Sequence, residues 1–363
     1  MPINLTAAAD DDGRRLDRIL RKALPEMPLS AIHRLLRKGG VLVDGEKAAI
    51  DCRVKAGQTI TLPDTIYQRN LNHGETRSIN RKFTSSVKLR SCLLQADSRT
   101  PWLTCSDMIL FEGAGLLVLN KPAGLPVHGR ESLEDLVRSY LEPKLHPSLS
   151  FKPGPLHRLD RPSSGVIAFS TSLEGARFFS AMMRNRMIKK QYLALVSGAI
   201  EKAEVWEDEL VRDERRKKTF HSVTMYSRAI HGVSKPGEAK SAMTRVSPLA
   251  GDGTCTLVLA EIETGRTHQI RAQAAGRGHP LLGDRKYGNA MNGAGGDFLL
   301  HAWRMEFSVK TVEKTDNDKY GGIPRDLPGD LPPRIEAPLP ENFLDKIRNF
   351  FGEGIINKRL SHL

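Results

Sequence analysis

The chain has 363 residues, a length that predicts two or three domains. Its 55 Lys and Arg exceed its 42 Asp and Glu to give a net charge of +13, which favours a polyanionic partner over a basic surface that only serves solubility. The sequence has no run of eighteen apolar residues, which argues against a transmembrane helix, and no apolar leader, which argues against a signal peptide. It has no C-x-x-C pair, which argues against a zinc ribbon. These features predict a cytoplasmic protein.

Residues 13–62 have the pattern of a small α/β module. Apolar residues at helical spacing over 16–24 predict one helix, and an N-cap at Ser30 followed by Ile32, Leu35 and Leu36 predicts a second that ends at the glycines of 39–40. Two short strands follow, the first with a D-G turn. The opposite helix faces carry Arg14, Arg18, Arg21, Lys22, Arg34, Arg37 and Lys38. This pattern resembles the S4 RNA-binding domain; the alternative is a small helical bundle with a solvated charged face.

Three further segments complete the predicted organisation. Residues 63–104 contain seven Lys or Arg against three acids and lack clean periodicity, which predicts a basic linker or insertion that orders on RNA binding. Strands and short helices alternate irregularly over 105–310. Residues 311–363 form a Pro-rich tail with a short amphipathic helix, either packed on the core or held loosely. We expect the N-terminal module to be tethered flexibly.

Four segments of the 105–310 region carry the candidate chemistry. In HRLDRPSSG, Asp160 lies between Arg158 and Arg161, and spacing alone favours a structural ion pair over a catalytic carboxylate. In GRTHQIR, Thr267 is predicted to cap a short helix that ends at Gly276. A basic stretch enters a predicted strand that carries Tyr192, and FLLHAWRMEF predicts another buried strand.

These motifs, with NKPAGLPVH and GHPLLGDRKYG, occur in the order found in a known family. Together with the N-terminal module, the chain resembles the RluA-type pseudouridine synthases of the RluC/RluD branch that carry an N-terminal S4 RNA-binding domain. The resemblance covers roughly residues 13–62 and 107–308. It implies an α+β fold with a mixed, mostly antiparallel sheet flanked by helices. It also implies a monomeric isomerase that converts specific uridines to pseudouridine in large-subunit, 23S-type ribosomal RNA, without a cofactor or metal.

The resemblance also assigns roles to single residues. It places Asp160 at the catalytic aspartate, Arg271 at the arginine that pairs with it, and Tyr192 at the tyrosine that stacks on the target base. Whether Asp160 attacks C1′ or removes the 2′ proton stays open. The implied substrate-binding residues are Arg158, which can fill the gap left by the flipped base, Ile270, which lines the uracil pocket, His157 and Arg266.

Three alternatives remain beside this interpretation. The chain could act on tRNA, or it could be a catalytically inactive RNA-binding protein held to RNA by its S4 domain. A glycoside hydrolase with Asp160 as nucleophile is the third, but that chemistry normally uses a second carboxylate. No paired acidic motif accompanies Asp160.

Overall fold

The computed structural model describes residues 2–64, 104–144, 148–213, 216–221, 238–288, 298–308 and 327–354. Nearly all of the predicted basic linker at 63–104 therefore lies outside the described residues. The described residues form an α+β fold with an 11-stranded sheet, a 4-stranded sheet and a 2-stranded sheet of β2 and β5. Short polar contacts join the N-terminal part to the rest. Among their helices, none is long and apolar enough to cross a membrane.

The N-terminal module contains the two predicted helices and a small antiparallel sheet. Its elements are β1 Ile3–Thr6, β2 Arg14–Arg15, α1 Leu16–Ala23, α2 Leu29–Arg37, β3 Leu42–Val43, β4 Glu46–Lys47, β5 Arg53–Val54 and β6 Thr59–Leu62. The sheet order is β1-β6-β3-β4, so the sheet includes a strand that precedes the predicted start at residue 13. Asp44 and Gly45 both have positive φ, as the predicted D-G turn requires.

The predicted N-cap of the second helix is wrong. Helix α2 is capped at Pro28, and Ser30 already lies inside its first turn. The fixed φ of proline suits the first positions of a helix, where an N–H has no intrahelical acceptor. Burial of Ile32 and Leu36 against α1 then defines which face of α2 points inward.

The module packs against the rest of the chain rather than hanging from a flexible tether. Asp11 is fully buried and accepts hydrogen bonds from the Ser150 hydroxyl and from the backbone N–H of Leu149. Arg14 Nη1 donates to Ser150 Oγ at 2.8 Å, and Leu149 packs on the apolar core of the module. These contacts hold the two basic helices in a defined position.

A large mixed sheet forms the centre of the second part of the chain. Its strands are β7 Ile109–Gly113, β8 Leu116–Lys121, β9 Gly154–Pro155, β10 Ser164–Ser170, β11 Ile188–Ser197, β12 Glu204–Asp213, β13 Lys218–His221, β14 Lys240–Gly251, β15 Cys255–Ile262, β16 Leu300–Phe307 and β17 Arg334–Glu336. The order is β13-β12-β14-β15-β11-β16-β10-β8-β7, with β17 beside β16 and β9 beside β10. In the described residues β10 and β16 pair in parallel and the other pairs are antiparallel, which confirms the predicted sheet type.

Helices cover both faces of this sheet. They are α3 Leu133–Leu141, α4 Leu173–Arg184, α5 Gln269–Gly276 and α6 Glu341–Phe351. Because side chains alternate along a strand, Leu117 of β8 packs with α3 and α5, while its neighbour Val118 packs with α4 on the other face. The described part of the tail belongs to the core: β17 pairs with β16, and Phe343 of α6 packs with Trp303.

Candidate active site

A cleft of about 470 Å³ opens where the loop before β10, strand β11 and the β15–α5 connection meet. All seven residues predicted for the site line it. They are His157, Arg158, Asp160, Tyr192, Arg266, Ile270 and Arg271. The fold therefore brings together residues that are spread over 115 positions of the sequence, from 157 to 271.

Lys121, the last residue of β8, holds the loop that carries Asp160 through hydrogen bonds. Its fully buried ammonium donates to the backbone carbonyls of Pro122, Leu125 and Arg161 at 2.8, 2.8 and 3.1 Å. Burial lowers the pKa of Lys121 to about 7, and the nearby Asp160 carboxylate acts in the opposite direction. Lys121 thus joins the loop after β8 to the residue that follows Asp160.

Replacing this lysine tests how far it supports the loop. Lys121→Met keeps the length of the side chain but leaves three carbonyls without their donor. We expect a loss of about 3 kcal/mol or more in the free energy of unfolding, since each unpaired buried group costs roughly 1–3 kcal/mol. Chemical denaturation measures it. A loss below about 0.5 kcal/mol would show that water replaces the ammonium.

Arg271 makes the central ion pair of the cleft. It lies in the first turn of α5 and is 6% exposed. Its Nη1 donates to Asp160 Oδ2 at 2.7 Å, while Nε and Nη2 form a two-pronged bond to Asp284 at 2.7 and 2.9 Å. Burial alone would lower the pKa of Arg271, but the Asp284 and Asp160 carboxylates outweigh it, and the pKa is raised. The guanidinium also stacks 4.1 Å from the Phe298 ring.

Asp284 is a residue beside the cleft that the sequence motifs did not single out. Its side chain is fully buried, and its Oδ1 also accepts from the backbone N–H groups of Lys286 and Tyr287. The carboxylate thereby sets the direction of the Arg271 fork. A signal is present in GHPLLGDRKYG, where an aspartate follows a glycine turn, but the motif does not show which side chain that aspartate meets.

His268 approaches the other oxygen of Asp160. Tyr287 Oη accepts from Thr219 N–H at 2.7 Å, so its own proton points to His268 Nδ1 at 2.8 Å. The proton of the imidazole then lies on Nε2, which faces Asp160 Oδ1 at 3.8 Å. Burial lowers the pKa of His268 to about 4, with Asp160 opposing, and the ring is neutral at pH 7.

The predicted helix cap at Thr267 is wrong for the same segment. His268 is the N-cap of α5 and has left-handed backbone angles, φ 56° and ψ 27°. Such angles are strained for a residue with a large side chain and persist only where the surroundings impose them. The bond to Tyr287 and the packing of the two rings at 5.6 Å supply that support.

Tyr192 and Ile270 form the apolar wall beside the carboxylate. Tyr192 is 7% exposed and Ile270 is 5% exposed, and they reach the cleft from β11 and α5. Burial and the Asp160 charge both raise the pKa of Tyr192, so its hydroxyl stays protonated at neutral pH. A flat aromatic ring next to a carboxylate offers a stacking surface for a planar ligand.

The remaining predicted residues lie at the side and rim of the cleft. His157 Nε2 accepts from the backbone N–H of Ala168, and its ring stacks on Phe179, so the imidazole is fixed. Burial and the Lys190 ammonium lower the pKa of His157 to about 3. Arg158 and Arg266 are exposed, and both also line a second cleft of about 490 Å³ that adjoins the first.

The chemistry of the cleft centres on one carboxylate. Among the described residues that line it, Asp160 is the single acid, so the second carboxylate of a glycoside hydrolase is missing from them. One oxygen of Asp160 is held by Arg271, and its side chain is 16% exposed. A carboxylate held in this way can act as a nucleophile or as a base.

Comparisons with known proteins agree on one family. Residues 115–276 match the family model described as RNA pseudouridylate synthase. The chain is 32% identical over 291 residues to ribosomal large subunit pseudouridine synthase C of Pasteurella multocida, covering 78% of each chain. It is 29% identical over 352 residues to the Escherichia coli protein of the same name, covering 94% of this chain and 95% of that one. A solved structure of human RNA pseudouridylate synthase domain containing 4 is 20% identical with a TM-score of 0.48, covering 67% and 93%.

Proposed function

The chain belongs to the RNA pseudouridylate synthase family, and on this premise we propose that it converts uridines of large-subunit ribosomal RNA to pseudouridine with Asp160 as the catalytic carboxylate. The observation that carries the proposal is the Asp160–Arg271 pair at 2.7 Å in a cleft that Tyr192 also lines. The relatives' name, ribosomal large subunit pseudouridine synthase C, supports ribosomal RNA as the substrate class.

The reaction breaks the N1–C1′ bond, turns the uracil in place and joins C5 to C1′. C5 releases its proton to solvent and N1 takes up a proton from solvent, so the composition of the nucleotide is unchanged. Asp160 can attack C1′ directly or remove the 2′ proton to give a glycal. Arg271 supports either route, because its guanidinium pairs with Oδ2 of the carboxylate and leaves Oδ1 facing the neutral His268. Both routes conserve the atoms of the nucleotide, as an isomerisation requires.

The loosened uracil has to be held between the two bond changes. We propose that Tyr192 stacks on it and that Ile270 closes the opposite side, since both line the cleft beside Asp160. Taking the base out of its helix costs a few kcal/mol. Arg158 is exposed at the rim, where its guanidinium can occupy the vacated stack, and Arg266 at the same rim can contact the strand. His157 positions the loop that carries Asp160.

The N-terminal module is proposed to be an S4-like RNA-binding domain. Its helices expose a set of cations on the side away from the core. These are Arg18, Arg21, Lys22, Arg34, Arg37 and Lys38. Because the module is held against the catalytic part through Asp11 and Ser150, these charges can anchor RNA at a fixed distance from Asp160. We further propose that the protein acts in the cytoplasm as a monomer.

The activity is tested through the proton that leaves C5. Purified protein is incubated with ribosomal RNA transcribed in vitro from [5-³H]uridine triphosphate, and tritium released to water is counted. We expect release from large-subunit RNA and little from a tRNA pool transcribed in the same way. Tritium release from tRNA alone would identify tRNA as the substrate in place of ribosomal RNA. Binding without tritium release from either RNA would identify the chain as an inactive RNA-binding protein.

The basic helix faces give a separate prediction about RNA binding. The triple substitution Arg21→Gln, Arg34→Gln and Arg37→Gln is expected to weaken binding to ribosomal RNA and to flatten its salt dependence. The slope of log K against log salt should fall by about 0.9 for each duplex phosphate that the variant no longer neutralises, and by somewhat less for single strands. Salt titrations of the two proteins on one RNA measure it.

The control removes the same charge from another surface. Arg184→Gln, Lys202→Gln and Lys346→Gln replace exposed cations outside the module and the cleft. This variant should keep the wild-type slope. Equal slopes for all three proteins would show that α1 and α2 do not touch the RNA.

A further inference from the structure

Lys190 is a buried lysine of the cleft that takes no part in the chemistry of Asp160. It lies on β11 two residues before Tyr192 and is 5% exposed. In the described part of the chain its ammonium has neither an ion pair nor a hydrogen-bond acceptor. An unpaired buried charge is costly, so a protein that keeps one at a ligand cleft is expected to gain its counter-ion from the ligand.

The position of the ammonium points to the entrance of the substrate strand. Its Nζ lies beside Gly265, 3.5 Å from where a Cβ of that residue would be. Gly265, Arg158 and Arg266 all line both clefts, so the ammonium lies where the two clefts meet. Arg158 and Arg266 also have no carboxylate partner among the described residues. Three cations thus surround this junction, while Glu238, the acid in the described lining of the second cleft, lies 3.8 Å from the Lys240 ammonium.

We propose that Lys190 and the junction beside Gly265 form a binding site for a backbone phosphate of the RNA adjacent to the target uridine. The inference rests on the proposed function, because the phosphate is that of the RNA substrate. A phosphodiester carries a permanent charge that can neutralise the ammonium in the bound state, whereas uracil is neutral before its bond breaks. Asp160, the single acid in the described lining of the first cleft, is already bound to Arg271, and Glu238 of the second cleft lies beside Lys240.

The charge state of Lys190 makes this site sensitive to pH. Burial, unopposed by any carboxylate, lowers the pKa of Lys190 to about 8. The other titratable and charged side chains that line the two clefts are His128, His157, Arg158, Asp160, Tyr192, Arg212, Glu238, Lys240, Arg266, His268 and Arg271. Since the ammonium is the form that binds phosphate, affinity should fall as pH rises through about 8. Lys190→Arg should keep its affinity to higher pH, because arginine stays charged.

The test is a charge-deletion cycle between protein and RNA. The probes are three versions of one labelled RNA hairpin with a single loop uridine: unmodified, or with a neutral methylphosphonate on the 5′ or the 3′ side of that uridine. Lys190→Met should weaken binding to the unmodified hairpin about ten- to hundredfold. With one of the methylphosphonate hairpins, wild type and Lys190→Met should bind alike.

The matched control is Lys189→Met, which removes the same charge from the exposed neighbour on β11 and should bind all three hairpins like wild type. An equal loss for Lys190→Met on all three hairpins would overturn the phosphate site and place Lys190 against the uracil. No loss on any hairpin would also overturn it. If Lys190→Met does not fold, the pH dependence of Lys190→Arg against wild type decides. Absence of tritium release by wild type would instead refute the proposed function and leave the binding comparison valid.

Discussion

Asp160→Asn protein is expected to release no measurable tritium from [5-³H]uridine-labelled RNA, a loss of about 10⁴-fold or more in turnover. The amide has the size of the carboxylate but can neither attack C1′ nor remove the 2′ proton. Arg271 keeps its two bonds to Asp284 in this variant, so the Arg271–Asp284 ion pair remains intact. We therefore expect a change in unfolding free energy of no more than about 1–2 kcal/mol.

RNA affinity distinguishes a variant that has lost only its chemistry from one whose site has collapsed. Asp160→Asn should bind the RNA as tightly as wild type or slightly more tightly, because one negative charge leaves a cleft that binds a polyanion. Asp345→Asn makes the same chemical change on the exposed side of α6 and should retain full turnover. Turnover by Asp160→Asn within tenfold of wild type, after mass spectrometry excludes deamidation, would remove Asp160 from the mechanism.

The sequence predicted those parts of the fold that depend on local patterns. The basic stretch that enters the strand with Tyr192 and the segment FLLHAWRMEF predicted β11 and β16, and both strands are present. Ser30 and Thr267 were predicted as helix caps because both are good cap residues, yet α2 is capped at Pro28 and α5 at His268. The fixed φ of Pro28 decides where α2 begins, whereas the contact of His268 with Tyr287 across the fold decides where α5 begins.

Sequence motifs predicted those residues of the candidate site that lie within the motifs, but not the contacts between them. Asp160, Tyr192 and Arg271 lie within motifs, and the structure places them in one cleft. The contact of Arg271 with Asp284 and the proton position on His268 depend on pairings across the fold, which no spacing in the sequence reveals. Lys190 belongs to a basic stretch of the sequence, and only burial separates it from the exposed Lys189.

Docking of the N-terminal module was missed for a similar reason. Asp11 belongs to a run of three aspartates that is typical of a solvated terminus. In the folded chain it is fully buried against Ser150, which lies 139 residues later. A buried carboxylate needs such partners, and only the three-dimensional arrangement supplies them.

The second large effect is expected at Arg271, where activity and stability should both fall. Arg271→Ala leaves the fully buried Asp284 carboxylate without its cation. Breaking a buried pair by removing one partner costs roughly 3–5 kcal/mol. Turnover should also fall by about 10²-fold or more, because Asp160 loses its partner as well. Denaturant unfolding and tritium release measure the two losses on one preparation.

Two further variants distinguish the role of Arg271 in positioning Asp160 from its role in folding. Arg271→Lys keeps a charge but cannot bond to Asp284 through two nitrogens and to Asp160 through a third, so turnover should stay low while part of the stability returns. The double variant Arg271→Ala, Asp284→Ala removes both buried charges and should recover part of the lost stability, since the backbone N–H groups of Lys286 and Tyr287 then lose their acceptor. Its turnover should remain as low as that of Arg271→Ala, since Asp160 still lacks a cation. Recovery of turnover together with stability would show that Arg271 serves only the fold, whereas stability without turnover assigns it to holding Asp160 for the reaction.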